Sequence, residues 1–368
     1  MAKIDFVKAF YRGRYDRHGL IQGLESLLTG HGIAVSAIPF SSTAPLEEVL
    51  ATLPTGRSVT LERSGDGWQQ YRLAYQRTVA KRPIRKEGRF FVYAHRQYAN
   101  VYIAMTIEPT EFVSHGLVPV LKGKYPQIIR PFVAHERMKR MLVEFKEANQ
   151  FADLIITRAS QRLRFKEEGK HKRVMPVVSW PDMSLEEAFA WVHENDGWFQ
   201  SIHFQAKDTM GCVRAKVSIT RSGAIRADRL FGLAFAGFLQ PVCKNHYENV
   251  ILFSGRSRRD HLRLLSRPLA IEFNTAQFAE VTENAKFIQA MKKMRTASVS
   301  VLHGNPYINM SVLDYYDGST FDVWVLSEDH LVIVPQMKAT VAAIKRLINH
   351  IFDTYAEGEI RDYAEGTA

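Results

Sequence analysis

Three spans of this sequence concentrate arginine and lysine, the residue types that bind phosphate. One span holds Lys81, Arg82, Arg85 and Lys86, another holds Arg158, Arg162, Arg164, Lys166, Lys170, Lys172 and Arg173, and the last holds Arg256, Arg258, Arg259 and Arg263. Arginine presents a planar fork of donors that matches two phosphate oxygens. These spans are therefore candidate contacts to a nucleic-acid backbone, provided that they converge in the fold.

The formal net charge of +11 agrees with attraction to a polyanion. Two other uses of the basic spans stay open, because surface charge also serves solubility or ion pairs. A structural subunit would use the same surface to dock an acidic protein partner, and exposed strand edges would favour assembly with a second protein or a second copy.

One stretch adds aromatic rings to the first span. A strand over residues 88–95 places Arg89, Phe91, Tyr93 and His95 on one face, because strand side chains alternate. Such a row is able to stack the bases of a single strand. A sheet also buries aromatic faces against its helices, so this row has a structural interpretation as well.

Acidic residues make a weaker case for catalysis. A metal-dependent nuclease needs carboxylates that hold a divalent cation. Glu144 and Lys146 have the nuclease spacing but fall in an expected helix, and Asp260 with Glu272 lacks the lysine that completes a strand motif. Phosphate-binding glycine loops and nucleophile elbows are missing from the sequence. We therefore expect a non-catalytic protein without metal or cofactor, with a divergent nuclease as the alternative.

Composition indicates the class of protein. The 368 residues are 46% hydrophobic, which is typical of a globular chain with more than one core. Lys8 and Arg12 interrupt the apolar residues at the N-terminus, and no apolar run reaches the length of a membrane span. The cysteines, Cys212 and Cys243, do not form a disulfide framework. We expect a cytoplasmic protein that does not enter a membrane.

Hydrophobic periodicity predicts an α+β fold of two domains, each a mainly antiparallel sheet packed by helices. Residues 1–178 form the first expected domain and residues 179–368 the second, because prolines and a new helix start mark the junction. Ser184 and Glu187 form a capping box at that helix start. An apolar helix is expected from Ala227 to Leu239, and Asp317 with Gly318 predicts a tight hairpin.

Two short stretches are nearly identical. Residues 59–65 read VTLERSG and residues 217–223 read VSITRSG. Strand alternation explains their apolar positions and Ser-Gly explains a turn, so only Arg63 and Arg221 need a further reason. Internal duplication and repeated use of one hairpin type both remain open.

These observations favour non-catalytic nucleic-acid binding with weak sequence specificity, in which the arginine-rich spans hold backbone phosphates. Nothing in the sequence distinguishes DNA from RNA.

Overall fold

A computed structural model of the chain describes residues 3–53, 56–79, 82–163, 182–194, 197–258, 267–304 and 307–363. The chain divides into two compact units, Met1–Tyr247 (unit 1) and Glu248–Ala368 (unit 2). Both contain an antiparallel sheet packed by helices, so the predicted α+β class with two domains is confirmed. The domain junction expected at residues 178–179 lies outside the described residues. Strands on both sides of it belong to the sheet of unit 1.

Helices are interspersed with runs of consecutive strands along the chain. The helices are α1 Lys3–Arg12, α2 Arg17–His31, α3 Leu46–Ala51, α4 Thr110–Phe112, α5 Val118–Gly123, α6 His135–Ala148, α7 Leu185–Glu194, α8 Phe231–Ala234, α9 Gln240–Phe253, α10 Val281–Lys292 and α11 Val341–Thr354. The π-helical turns Val113–Leu117 and Phe235–Leu239 join α4 to α5 and α8 to α9. Within the described ranges, no helix is long and apolar enough to cross a bilayer.

The strands form one sheet in each unit. They are β1 Val35–Ser42, β2 Arg57–Gly65, β3 Trp68–Val79, β4 Arg82–Ala94, β5 Val101–Thr106, β6 Ile128–Ile129, β7 Asp153–Leu163, β8 Met183–Ser184, β9 Gly197–Lys207, β10 Val213–Thr220, β11 Ile225–Arg229, β12 Leu269–Phe273, β13 Ala297–His303, β14 Asn309–Asp314, β15 Thr320–Val325, β16 His330–Pro335 and β17 Gly358–Asp362. Every described pairing is antiparallel, which fits the short hairpin connections.

The sheet of unit 1 has the strand order β2-β3-β4-β5-β1-β11-β10-β9-β7-β8, with β6 beside β1. Strand β1 lies at the centre, because it pairs with β5 on one side and β11 on the other. The chain therefore builds the half from β2 to β5 first and the half from β7 to β11 later. Both halves belong to one continuous sheet.

Two cores cover different extents of this sheet. On one face, residues from all of the central strands pack against α1, α2, α6, α7 and the helical segment that follows β11. On the other face, the core is built on β1, β3, β4 and β5 and is covered by α3, α4, α5 and their π-helical turn. Among the described residues, β7, β9 and β10 contribute nothing to this second core. That half of the face has no described helix over it.

The structure confirms the predicted capping box and contradicts the predicted start of one helix. The capping box is confirmed, because Ser184 N donates to Glu187 Oε2 at 2.9 Å and Glu187 N donates to Ser184 Oγ at 3.3 Å. The apolar helix expected from Ala227 is wrong at its start. Ala227 lies in β11, pairs with Val35 of β1, and the helix begins at Phe231. Pairing in the sheet outweighed the helical pattern.

The two near-identical stretches occupy different places in the sheet. The first belongs to β2 at the edge, whereas the second runs through β10 inside the sheet and into a turn. Their arginines also differ in role. Arg63 donates to the backbone oxygens of Tyr11 and Gly13 at 3.0 and 2.9 Å, which ties down the end of α1. Arg221 is buried over the rings of Phe132 and Trp198. The two arginines therefore do not share one structural role.

Unit 2 is a six-stranded sheet with the order β13-β14-β15-β16-β12-β17. Helices α10 and α11 contact each other, and both bury one apolar face, as the periodicity predicts. The hairpin expected at Asp317 and Gly318 connects β14 to β15, and Gly318 adopts the left-handed backbone with φ 71°. Thr340 caps α11 by accepting from Ala343 N at 3.1 Å.

Candidate nucleic-acid interface

The half of the sheet in unit 1 over which no described helix packs has an outer surface of polar side chains. Ile156, Phe204, Val217 and Ala227 point to the core from β7, β9, β10 and β11. Because strand side chains alternate, their neighbours in sequence point away from it. We call this outward surface the polar face, which comprises Arg158, Ser160, Arg162, Ser201, His203, Gln205, Lys207, Arg214, Lys216, Ser218, Thr220 and Arg226.

Strand pairing aligns four of these residues in a row across the sheet. His203 of β9 pairs with Arg158 of β7 and with Ser218 of β10, and Ser218 pairs with Arg226 of β11. Directly opposed residues have Cβ atoms about 5 Å apart, so each member of the row contacts the next. Ser160 and Ser201 form a parallel row, and their hydroxyl oxygens are 2.7 Å apart. The polar face therefore combines charged donors with hydroxyls.

Charged side chains lie near His203 and affect its pKa. Burial lowers the pKa of His203 most, and the positive charges of Arg158 and Arg226 lower it further, while Asp228 raises it. The imidazole is therefore neutral at neutral pH in the free protein. Any anion that offsets these arginines would favour its protonation.

Several cations of the polar face have no anionic partner. The side chains of Arg158, Arg162 and Lys216 make no hydrogen bond or ion pair with any residue in the described ranges. Arg226 donates to Ser36 Oγ at 3.2 Å and lies 3.7 Å from Asp228. Lys207 is opposite Asp153 in register but is not within ion-pair distance of a described residue. The unpaired charges leave donors free for an external anion.

Some cations elsewhere in unit 1 are paired with carboxylates. Glu62 accepts ion pairs from Arg72 at 3.4 Å and from Arg89 at 2.7 Å. Glu111 pairs with Arg77 and with Lys86, whose Nζ is 2.7 Å away. These pairs also lower the pKa of both glutamates. Other exposed cations of unit 1 also lack an ion pair with a described residue, so the polar face is distinguished by having several unpaired cations on one sheet face.

The first basic span lies far from the polar face. Arg82 and Arg85 are exposed at the start of β4, and Arg85 borders a cavity of about 240 Å³ together with Arg57. Lys86 is occupied by Glu111, and Lys81 lies outside the described residues. Strand β4 is six positions from β7 in the sheet, which at about 4.8 Å per strand is roughly 29 Å. The described residues of this span and of the central span therefore do not converge.

The central and third spans are only partly described. Arg158 and Arg162 lie on the polar face, whereas Arg164, Lys166, Lys170, Lys172 and Arg173 fall outside the described residues, as do Arg259 and Arg263. In unit 2, the buried guanidinium of Arg256 donates to the backbone oxygens of Leu252, Arg267 and Pro268 and pairs with Asp362. Arg256 therefore has a structural role. Arg258 is partly buried beside Gln336.

The basic spans of the sequence contain only two residues of the polar face, Arg158 and Arg162. Lys207, Lys216 and Arg226 are separated in sequence and form no cluster. The alternation from Arg214 to Thr220 was available as a signal, because every second residue there is polar and the intervening residues are apolar. The strand order that brings these residues beside Arg158 could not be read from that alternation.

The aromatic row on β4 belongs to the core. Phe91 and Tyr93 are buried, and Phe91 stacks against Tyr11 of α1 with centroids 5.7 Å apart. His95 is also buried, and its Nε2 lies 2.6 Å from Gln240 Oε1. The structural interpretation of this row is therefore correct, and the stacking platform is not available.

The acidic candidates for a nuclease are dispersed. Glu144 is exposed on α6, and Glu272 of β12 pairs with Arg361 at 2.9 Å. Asp260 lies outside the described residues. Within the described ranges, no three histidine, cysteine, aspartate or glutamate side chains are close enough to hold a metal ion. Cys243 is buried, and burial raises its pKa to about 12.

Comparisons with known proteins supply no further identification, because no protein-family model matches the chain and no curated protein resembles it in sequence.

Proposed function

We propose that this chain is a non-catalytic nucleic-acid-binding protein, or a subunit of one, and that the polar face contacts the phosphate backbone. The observation that carries this proposal is that Arg158, Arg162 and Lys216 lie on one sheet face and have no hydrogen-bond or ion-pair partner among the described residues. A cation held on a sheet face without an internal anion keeps its donors for an external one. Serine and threonine hydroxyls beside them add neutral donors of the kind that also contact phosphates.

The chemistry of the polar face fits a polymer better than a small anion. Its cations are spread over β7, β9 and β10 rather than gathered in one pocket, so they match charges that repeat along a backbone. Such contacts carry no sequence information, which supports the weak specificity expected from the sequence. The exposed Arg82 and Arg85 are too distant to share one short binding site with the polar face.

The first test is fluorescence anisotropy of labelled DNA and RNA across a salt series. We expect binding that weakens steeply with salt, since each neutralised phosphate releases counterions and adds about −0.9 to the slope of log K against log salt. If Arg158, Arg162, Lys216 and Arg226 each contact one phosphate, the slope should be roughly −3.5. A parallel series with Mg²⁺ shows whether the protein cleaves the nucleic acid.

Two results would contradict this proposal. If neither DNA nor RNA binds at low salt, the polar face has another partner, and an acidic protein becomes the next candidate. If Mg²⁺ produces cleavage that is lost on replacing Glu272, the nuclease alternative replaces binding alone.

Binding should also depend on pH through His203. The free imidazole has a lowered pKa, and phosphates bound to Arg158 and Arg226 would raise it by offsetting both charges. Binding then takes up a proton, so affinity increases as pH falls. Between about pH 7.5 and about pH 6 we expect roughly a threefold to tenfold gain, measured by anisotropy at constant ionic strength.

The matched control for this prediction is another histidine of unit 1. His203→Gln should remove most of the pH dependence, whereas His115→Gln, at an exposed position in the first π-helical turn, should leave it unchanged. An equal pH response in both variants would show that His203 does not lie at the contact.

A further inference from the structure

We infer that the polar face takes a duplex, held by its backbone, in preference to a single strand. This inference rests on the proposed function, because it names the form of the nucleic acid that the same surface binds. Three features of the described strands carry it: the side chains that are accessible, the rings that are not, and the spacing of the two arginines at the ends of the cross-strand row.

The accessible side chains of the polar face are suited to phosphate and sugar. Cations, hydroxyls and one amide make up its outward residues, apart from the imidazole of His203. Proteins that bind single strands without sequence preference combine such charge with aromatic rings, on which the unpaired bases stack. In a duplex the bases are stacked on each other, so binding through the backbone alone is sufficient.

The aromatic rings of these strands are inaccessible. Strands β7, β10 and β11 contain no phenylalanine, tyrosine or tryptophan. The rings of β9 are those of Trp198, Phe199 and Phe204, and all three are buried. Trp198 comes nearest to the polar face, since it is opposite Arg162 in register, but the Arg221 guanidinium lies 5.6 Å from its ring centroid. Bases of a single strand would find no accessible phenylalanine, tyrosine or tryptophan ring on these four strands.

The length of the row from Arg158 to Arg226 is similar to the width of a DNA groove. Three strand spacings separate these residues, which at about 4.8 Å each gives roughly 14 Å. The major groove of B-form DNA is about 12 Å wide. The two arginines are therefore placed to reach phosphates on opposite walls of a groove. His203 and Ser218 lie between them in the row.

The test compares a duplex of two helical turns, about 21 base pairs, with each of its component strands at the same low salt. Anisotropy is measured for duplex DNA, duplex RNA and non-pairing single strands. We expect a duplex to bind at least about tenfold tighter than either strand, and a changed duplex sequence to alter Kd by less than about threefold.

The Arg158→Ala, Arg226→Ala double variant then tests whether the duplex binds at this row. We expect its salt slope for the duplex to be smaller by about 2, since each lost phosphate contact removes about 0.9. The Arg158→Lys, Arg226→Lys variant keeps both charges and should retain nearly the wild-type slope. Equal thermal unfolding of the variants and the wild type confirms that they fold.

The possible outcomes separate this inference from the proposed function. Single strands that bind as tightly as the duplex, or tighter, overturn the inference and leave polyanion binding in place. A duplex preference with an unchanged slope in the alanine double variant overturns the assignment to this row. No binding by any nucleic acid at low salt overturns the proposed function itself.

Discussion

Replacing Asp314 by alanine is expected to lower the free energy of unfolding of unit 2 by about 3–5 kcal/mol. The carboxylate is nearly inaccessible, with 2% side-chain exposure, and its Oδ2 lies 2.8 Å from Nη1 of Arg346 in α11. Tyr316 N also donates to Asp314 Oδ1 at 2.9 Å. Loss of the carboxylate removes the partner of a largely buried guanidinium and a hydrogen bond of the β14–β15 turn.

The environment of Asp314 explains why the loss is large. Burial raises the pKa of Asp314, whereas the Tyr316 N–H and the charge of Arg346 lower it. The Arg346 guanidinium also stacks 4.1 Å from the centroid of the Tyr316 ring, so one arginine connects α11 to the end of β14 and to the turn. Asp314→Asn keeps acceptors for both donors and should cost less than the alanine change.

Chemical denaturation gives the total change, and hydrogen exchange of the β14 and α11 amides assigns it to unit 2. Glu328→Ala, at an exposed position of the same unit, is the control and should change stability by less than about 0.5 kcal/mol. The combined change Asp314→Leu with Arg346→Met should recover most of the loss, because an apolar pair removes the buried charge. An alanine variant that loses under about 1 kcal/mol would show that the pair contributes little.

The sequence was sufficient for local structure because local structure depends on near neighbours. The capping box of Ser184 and Glu187 and the hairpin at Gly318 follow from residues that lie within a few positions of each other. The extent of the buried cores could be predicted less directly from the sequence. Phe91 and Tyr93 alternate as an exposed platform would, and only the packing of Phe91 against α1 and of Tyr93 against Phe235 distinguishes the two cases.

The candidate site depends on contacts between distant parts of the chain. Arg158 and Arg256 were equivalent as sequence features, since both belong to basic spans. One lies on an open sheet face, whereas the other is enclosed by backbone oxygens and Asp362. Strand order brings Lys216 and Arg226 to the same sheet face as Arg158, and that order is a long-range property of the whole sheet. Sequence clustering therefore found one edge of the polar face and missed the rest.

Reversing three charges of the polar face should nearly abolish nucleic-acid binding. Arg158→Glu, Arg162→Glu and Lys216→Glu each remove a contact to phosphate and add repulsion. A charge-assisted hydrogen bond contributes at least about 1.5 kcal/mol, or roughly tenfold in Kd, so the triple variant should bind on the order of 1,000-fold more weakly. Anisotropy at one low salt concentration measures the loss, with unfolding curves to confirm that the variant is folded.

The matched control separates the position of the charges from their total. Lys8→Glu, Arg12→Glu and Arg140→Glu make the same change in net charge on exposed positions of α1 and α6, which pack on the opposite face of the sheet. General attraction between a basic protein and a polyanion would weaken equally in both variants. Binding at the polar face predicts a loss of less than about tenfold in the control, since remote exposed charges are screened beyond about 10 Å at moderate salt. Equal losses would mean that net charge, and not the polar face, is responsible for binding.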